Sequence, residues 1–355
     1  MRTSRRGLAS LLFVALVALG CAPDVEAEAE APPAEPAPAE PEPEPEPEEH
    51  VAAAEATPEV LGTAPLTGVG IFDEEWVERL ERRPAVTVKI PNDPPARPHT
   101  GIERADVVYE QETEGGVTRF AAVFQSDYPE VVGNVRSARH VDVPLVAPYR
   151  GVMVYSGARG SVRGDIAAAG LTTVTEGGPG FYRDGSRRAP HNLYTRLPEA
   201  AGASGAQPAA RSQWRFDETR PDGGRAVTGR VNVAVSARAT TGWDYDADAE
   251  VFRRLQDGQP HRVTGDGVIG AANVVILDVP VTGRDSHGAP VYAPEGTGDA
   301  LLLRQGRAYD VRWSKAGRDA ELELGDGGDA AVLAPGPTWV LLTYDGALSR
   351  VSGLG

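Results

Sequence analysis

Residues 151–160 read GVMVYSGARG. Val152, Met153, Val154 and Tyr155 form a continuous apolar run with glycine close on either side, as expected of a strand covered on both faces. The glycine-rich turn GARG follows, and Ser161–Ala169 is then expected to form a short helix. Strand, tight turn and helix in succession point to α/β or α+β architecture. Upstream, Ala85–Ile90, Ala105–Gln111 and Val117–Gln125 read as further strands, with Glu114-Gly115-Gly116 as a hairpin signal between the last two. Phe72, Trp76, Val77 and Leu80 give a helical stripe closed by Arg83-Pro84, and IPNDPPARPHTG is a proline-rich loop. Ser137–Tyr149 is expected to open as a helix that Pro144 and Pro148 cut short.

Downstream the texture changes. Val231–Val235, Asn273–Val279, Ala300–Arg304, Ala308–Trp313, Ala320–Leu324 and Thr338–Tyr344 are short β-prone runs punctuated by Gly and Asp, the pattern of a sandwich- or barrel-like domain. The expected class is α+β: a mixed α/β domain over 64–200, a connector over 201–225 carrying Trp214 and Phe216, and a β-rich domain over 226–355. The 355 residues suffice for two domains.

The net charge of −16 is concentrated near the N-terminus. Residues 22–63 hold thirteen acids and no Lys or Arg, and the remainder from Ala64 carries 38 acids against 32 bases. This Pro/Glu-rich stretch cannot bury apolar surface and is expected to be a disordered, extended spacer. Before it, Arg2, Arg5 and Arg6 precede an apolar core, Leu8–Leu19, which ends at Cys21, the single cysteine. Residues 1–21 read as a lipoprotein signal peptide, Cys21 as the diacylated residue, and the location as extracytoplasmic at a bacterial membrane. With no cysteine in the folded part, disulfides and thiol chemistry there are excluded. No cofactor is implied, and the acidic balance argues against nucleic-acid binding.

Val131–Arg196 is the exception to that balance, with nine arginines against four acids. In GNVRSARH, Arg136 and Arg139 share a face if the segment begins a helix, and free N–H groups there would add to two guanidinium forks in holding a phosphate or carboxylate. Counter-ion pairing with Glu110, Glu112 and Glu114 is the alternative. SGARGS lacks the P-loop lysine, so its glycines read as turn residues. In APHNLYT, His191, Asn192 and Tyr194 follow two arginines, and His191 is either a general base, a ligand contact or a cap. Glu110 and Glu114 are the candidate acid/base pair of a glycosidase-type reaction, with His191 assisting. Ser137 or Ser156 with His191 would be a hydrolase pair, though no G-x-S-x-G surrounds either. Asp244, Asp246 and Asp248 imitate a calcium loop, but Ala249 stands where the glycine is required and Leu255 where the glutamate is. No metal site is expected.

The succession RPAVTVKIPNDPPARPHTGIERADVVYEQETEGGVTRF, GNVRSAR and APHNLYT, followed by AANVVILDV, GTGDALLLRQGRAYDVRW and APGPTWVLL, resembles the YerB-like lipoproteins, a bacterial family of unknown function. The resemblance covers roughly Pro84–Thr343, with Asn134 where the family typically has proline. It implies two linked domains on an envelope lipoprotein and brings no reaction with it. Its motif residues here are Asn92, Arg97, Glu110, Glu114, Arg119, Arg136, Ser137, Arg139, His191, Asn192 and Tyr194. The expectation is a membrane-tethered binding module in which Arg119, Arg136, Ser137, Arg139, His191, Asn192 and Tyr194 meet an anionic envelope polymer or protein partner. The alternatives are an envelope glycan hydrolase or transferase using Glu110 or Glu114, and a protein-interaction scaffold presenting Trp243 and Trp313.

Overall fold

The computed structural model describes residues 58–205, 207–325 and 329–355. The signal peptide, Cys21 and most of the acidic stretch fall in residues 1–57, outside the described residues. Thr57–Gly355 forms one compact unit. Its first paired residues are Gly62–Thr63, against Gly70–Ile71. Helix α1 (Glu74–Arg82) follows, capped by Asp73, whose carboxylate accepts from the Trp76 N–H at 2.7 Å.

The N-terminal half supplies strands β1 (Val86–Pro91), β2 (Val107–Glu112), β3 (Thr118–Phe124), β4 (Val152–Tyr155) and β5 (Thr172–Thr175). It also supplies helices α2 (Asp142–Val146) and α3 (Gly160–Ala168). The stretch 151–160 behaves as its composition predicts: β4 is buried along its length and leads through the turn into α3. Gly151 is required there, because a Cβ would come 2.0 Å from the Ala85 carbonyl oxygen. The C-terminal half supplies β6 (Arg225–Ala234), β7 (Thr240–Asp246), β8 (Val251–Gln256), β9 (Asn273–Asp278), β10 (Gly296–Arg304), β11 (Arg307–Lys315) and β12 (Thr338–Thr343). This is the α+β class with a β-rich second half.

One sheet runs through both halves, in the order β8-β7-β6-β11-β10-β9-β12-β2-β3-β1-β4-β5. The join is parallel: β12 lies between β9 and β2, with Thr338 opposite Val107 and Leu341 opposite Glu110. Strand β6 pairs with β11 at its start and with β7 at its end. The sheet then curls over its own face, because Arg254 of β8 reaches Glu110 of β2 and Trp243 of β7 packs on Trp339 of β12, ring centroids 5.6 Å apart.

Alternation along the strands makes two cores. Val86, Val88, Val108, Phe120, Ile276 and Leu341 face the curled β6–β8 layer, while Val107, Tyr109, Val123, Val275 and Val340 face α2, α3 and Trp214. The connector is therefore packed: Trp214 donates to the Leu322 carbonyl at 2.8 Å, and Arg215–Phe216 pairs with Val332–Leu333. Trp243 and Trp313 are fully buried, so neither is presented to a partner as the scaffold alternative requires. The expected helix over Ser137–Tyr149 shrinks to α2 and a single 3-10 turn, Ala147–Tyr149. Among the described residues no helix is long and apolar enough to cross a membrane.

Candidate anion-binding site

Strands β1, β4 and β5 run parallel, with Val86 opposite Val152 and Val152 opposite Thr172. Loops at the carboxyl ends of parallel strands are where α/β sheets place ligands. One such loop, SGARGS after β4, lies here against GNVRSARH, which runs on from the short antiparallel strand Val132–Gly133. The Ser156 N–H donates to the Arg136 carbonyl at 3.0 Å and the Ala138 N–H to the Gly157 carbonyl at 2.9 Å, laying GNVRSARH against SGARGS. This corrects the expected helical start at Arg136. The N–H of Arg136 goes to the Lys89 carbonyl at 2.7 Å and that of Arg139 to the Asp142 carboxylate at 2.6 Å. Neither of these donors is left to hold a ligand. Gly133 is fixed by proximity, since a Cβ would lie 2.6 Å from Cδ1 of Tyr194.

Above this crossing three arginines converge on one carboxylate. Glu114 accepts from Arg139 Nη2 at 2.7 Å and from Arg159 Nη2 at 3.1 Å, with Arg119 Nη2 at 3.6 Å. Arg159 also donates to Asp285 at 2.6 Å. Arg119 and Arg139 anchor further on the Ser137 carbonyl, at 3.0 and 3.4 Å. Beneath them Lys89 and Asp142 form a fully buried pair at 2.5 Å, and Gln111 donates to the same carboxylate at 2.6 Å. Arg136 is half-buried, and among the described residues its guanidinium has no carboxylate or hydrogen-bond partner. Four arginines and a lysine thus face three carboxylates, leaving positive charge uncancelled at the rim.

The ionisation of these groups reflects crowding. Burial, then the neighbouring Arg139, lowers the Arg119 guanidinium to about 10, with Arg136 adding to the depression. Burial likewise takes Lys89 down to about 8, against the opposing pull of Asp142. At Glu114 burial pushes the carboxyl upward, but the Arg139 hydrogen bond and the surrounding charges prevail and hold it below its ordinary range.

The other sequence candidates sit elsewhere. His191 Nε2 lies 3.1 Å from Asp93 rather than on the Glu114 cluster, and its carbonyl accepts from Asn134 at 2.7 Å. Asn192 accepts from Arg183 at 2.6 Å. Tyr194 is buried, stacked on Tyr182, and its hydroxyl accepts from Arg187 at 2.7 Å. Arg187 continues to the Arg97 and Pro98 carbonyls, so APHNLYT braces the proline-rich loop. Ser137 Oγ faces Ser156 Oγ at 3.4 Å, with no histidine between them.

Glu110 is inside the protein, gripped by Arg254 at 2.8 and 2.9 Å and by Thr118 at 2.8 Å. A sealed carboxylate already serving four side-chain donors has no access to a substrate, and Glu114 is saturated by arginine. The glycosidase arrangement, two carboxyl groups flanking a cleft, is absent here. Asp244 and Asp246 pair with Arg230 and Arg253 on the surface. Among the described residues no group of three or more His, Cys, Asp or Glu is placed to hold a metal ion. Arg159, which joins the cluster from SGARGS, was not among the sequence candidates; its signal was the arginine excess of the whole segment.

Comparison with known proteins extends these observations. Residues 66–210 match the N-terminal domain, and residues 231–340 the C-terminal domain, of a family described as "Protein of unknown function (DUF3048)". A Bacillus subtilis (strain 168) protein described as "Putative lipoprotein YerB" is 31% identical over 294 residues, covering 79% of this chain and 86% of that one. The crystal structure of the YerB protein from Bacillus subtilis matches with a TM-score of 0.71 at 26% identity, covering 82% of this chain and 99% of that chain.

Proposed function

The chain belongs to the DUF3048 family, and from that premise and the geometry above we propose that it is a lipid-anchored protein of the bacterial envelope whose arginine rim binds an anionic group. The anchor is Cys21, behind a signal-like segment, and the relative's description as a lipoprotein supports it. The ligand is an anionic envelope polymer or a carboxylate-bearing protein partner. The observation that carries the reading is the surplus of cations around Glu114, with Arg136 lacking a carboxylate beside Arg119 and Arg139. A guanidinium left without a counter-ion and half shielded from water is an incomplete ion pair, and a phosphate or carboxylate would complete it.

The test is calorimetric titration of the detergent-solubilised full chain with glycerol-phosphate oligomers. Saturable binding that weakens with salt and is lost in the Arg136→Ala/Arg139→Ala protein is expected. Equal binding by wild type and variant would remove the proposal.

A further inference from the structure

Beyond that reading, the geometry points to a serine-hydrolase centre at Ser161, His140 and Asp165, acting on esters that carry a nearby anionic group. His140 Nδ1 lies 2.6 Å from Asp165 Oδ2, and His140 Nε2 lies 3.1 Å from Ser161 Oγ. An ionised carboxylate only accepts, so Nδ1 carries the proton and Nε2 presents its lone pair to the serine hydroxyl. The order is nucleophile, base, orienting carboxylate, which is what activation of a serine requires. Two elements hold it. Ser161 and Asp165 are four residues apart on α3 and share a face. His140 closes the set from the facing segment, which the Arg136–Ser156 and Ala138–Gly157 backbone bonds hold against SGARGS.

Two further features fit the chemistry. The N–H groups of Gly160, Ser161 and Val162 have no acceptor among the described residues, and Arg159 at the N-cap supplies none. Those donors, beside the nucleophile itself, are available to a developing oxyanion. Arg159, one residue before the helix, is the third partner of Glu114, so the cationic rim borders the nucleophile. Ser161, His140 and Asp165 are all solvent-exposed, an open site that suits an ester displayed on a polymer better than one enclosed by a pocket. The anionic part of the substrate rests on the anion-binding reading; the nucleophile does not.

The step is an acyl transfer to water. Ser161 Oγ bonds to the ester carbonyl carbon as its proton passes to His140 Nε2. The ester C–O bond then breaks and the departing alcohol takes that proton, leaving acyl-Ser161. Water attacks next, giving a proton to His140, and the acyl–Oγ bond breaks as Ser161 recovers it. Ester and water become acid and alcohol, with no other reactant. Ser161 and His140 are the catalytic residues, and Asp165 is a positioning residue.

The full chain in detergent is treated with a fluorophosphonate probe, and the modified residue is mapped. Labelling at Ser161 is expected, absent in Ser161→Ala and slowed about ten-fold or more in His140→Gln. Asp165→Asn is expected to shift the pH profile of labelling, which a merely structural role would not do. Absence of label at Ser161, or labelling indifferent to His140→Gln, overturns the nucleophile while leaving phosphate binding to stand. Hydrolysis of phenyl acetate against 4-acetoxybenzoate then tests the substrate class. Wild type should favour the carboxylate-bearing ester, and the preference should vanish in Arg136→Ala. A labelled Ser161 with no preference in wild type overturns the anionic substrate, while the binding reading stands or falls on the titration.

Discussion

Arginine meets glutamate in two places in this protein, with opposite outcomes. In the core, Arg254 and Glu110 are both wholly buried, and Thr118, Thr241, Asn92 and Gln256 surround them with matching hydrogen bonds. Arg254 also bonds His261, which lies 2.9 Å from His99, and His99 reaches the Pro91 carbonyl at 2.7 Å. At the rim, Glu114 is shared among three guanidinium groups and a fourth arginine is left over. The same chemical pair locks the fold where cations and acceptors balance and leaves positive charge uncancelled where they do not. Burial alone does not separate the two roles; surplus does.

The largest expected effect breaks the core side of the contrast. Glu110→Ala strands a buried guanidinium and should cost about 3–5 kcal/mol in urea unfolding, whereas Glu114→Gln should cost much less because its arginines reach water and carbonyl oxygens. Comparable losses would erase the distinction.

Acid sharpens it next. Burial drives His99 down to about 3 and His261 well below its usual value. Below about pH 6.5 the unfolded chain protonates both histidines and the folded chain does not, so stability falls as pH falls. Asp106, raised to about 6 by burial, works the other way by holding a proton in the folded state that the unfolded chain releases. For these three groups the net loss is about 1.4 kcal/mol per pH unit between pH 6 and 4, read by chemical denaturation. A His99→Asn/His261→Asn protein should reverse that slope, since Asp106 alone then remains, and retention of the original slope would place the acid response elsewhere.

The smallest effect is the control. Arg230 and Asp244 form a bidentate pair at 2.9 Å on an exposed strand face, and Asp244→Ala should change stability by less than about 1 kcal/mol. A larger loss would show that exposed pairs here contribute like buried ones.

Local patterns were legible and distant ones were not. GVMVYSGARG declared a buried strand and its turn because the period, the bounding glycines and the following helix formers agree. The β-rich texture after Val231 was equally plain. The Arg136 segment misled because its N–H groups find partners on Lys89 and Asp142, which no local pattern reveals. Strand β8, VFRRLQ, carries two arginines, and only a glutamate 144 residues away makes one of them tolerable inside the protein. The Ser161–His140 contact likewise exists only because two loops are laid together by backbone bonds. The arginine excess was visible in composition, but which arginine would be left over depends on side-chain reach.

The parallel joint between β12 and β2 bears on how the protein is made. Strand β12 fills a slot in the middle of the sheet beside β2, so the chain must be made through Thr343 before the centre of the fold can close. Until then β2 presents an open edge, the kind that recruits stray strands. A polypeptide that must stay threadable through a narrow export channel gains from such lateness, and one released prematurely should require a chaperone to cover that gap.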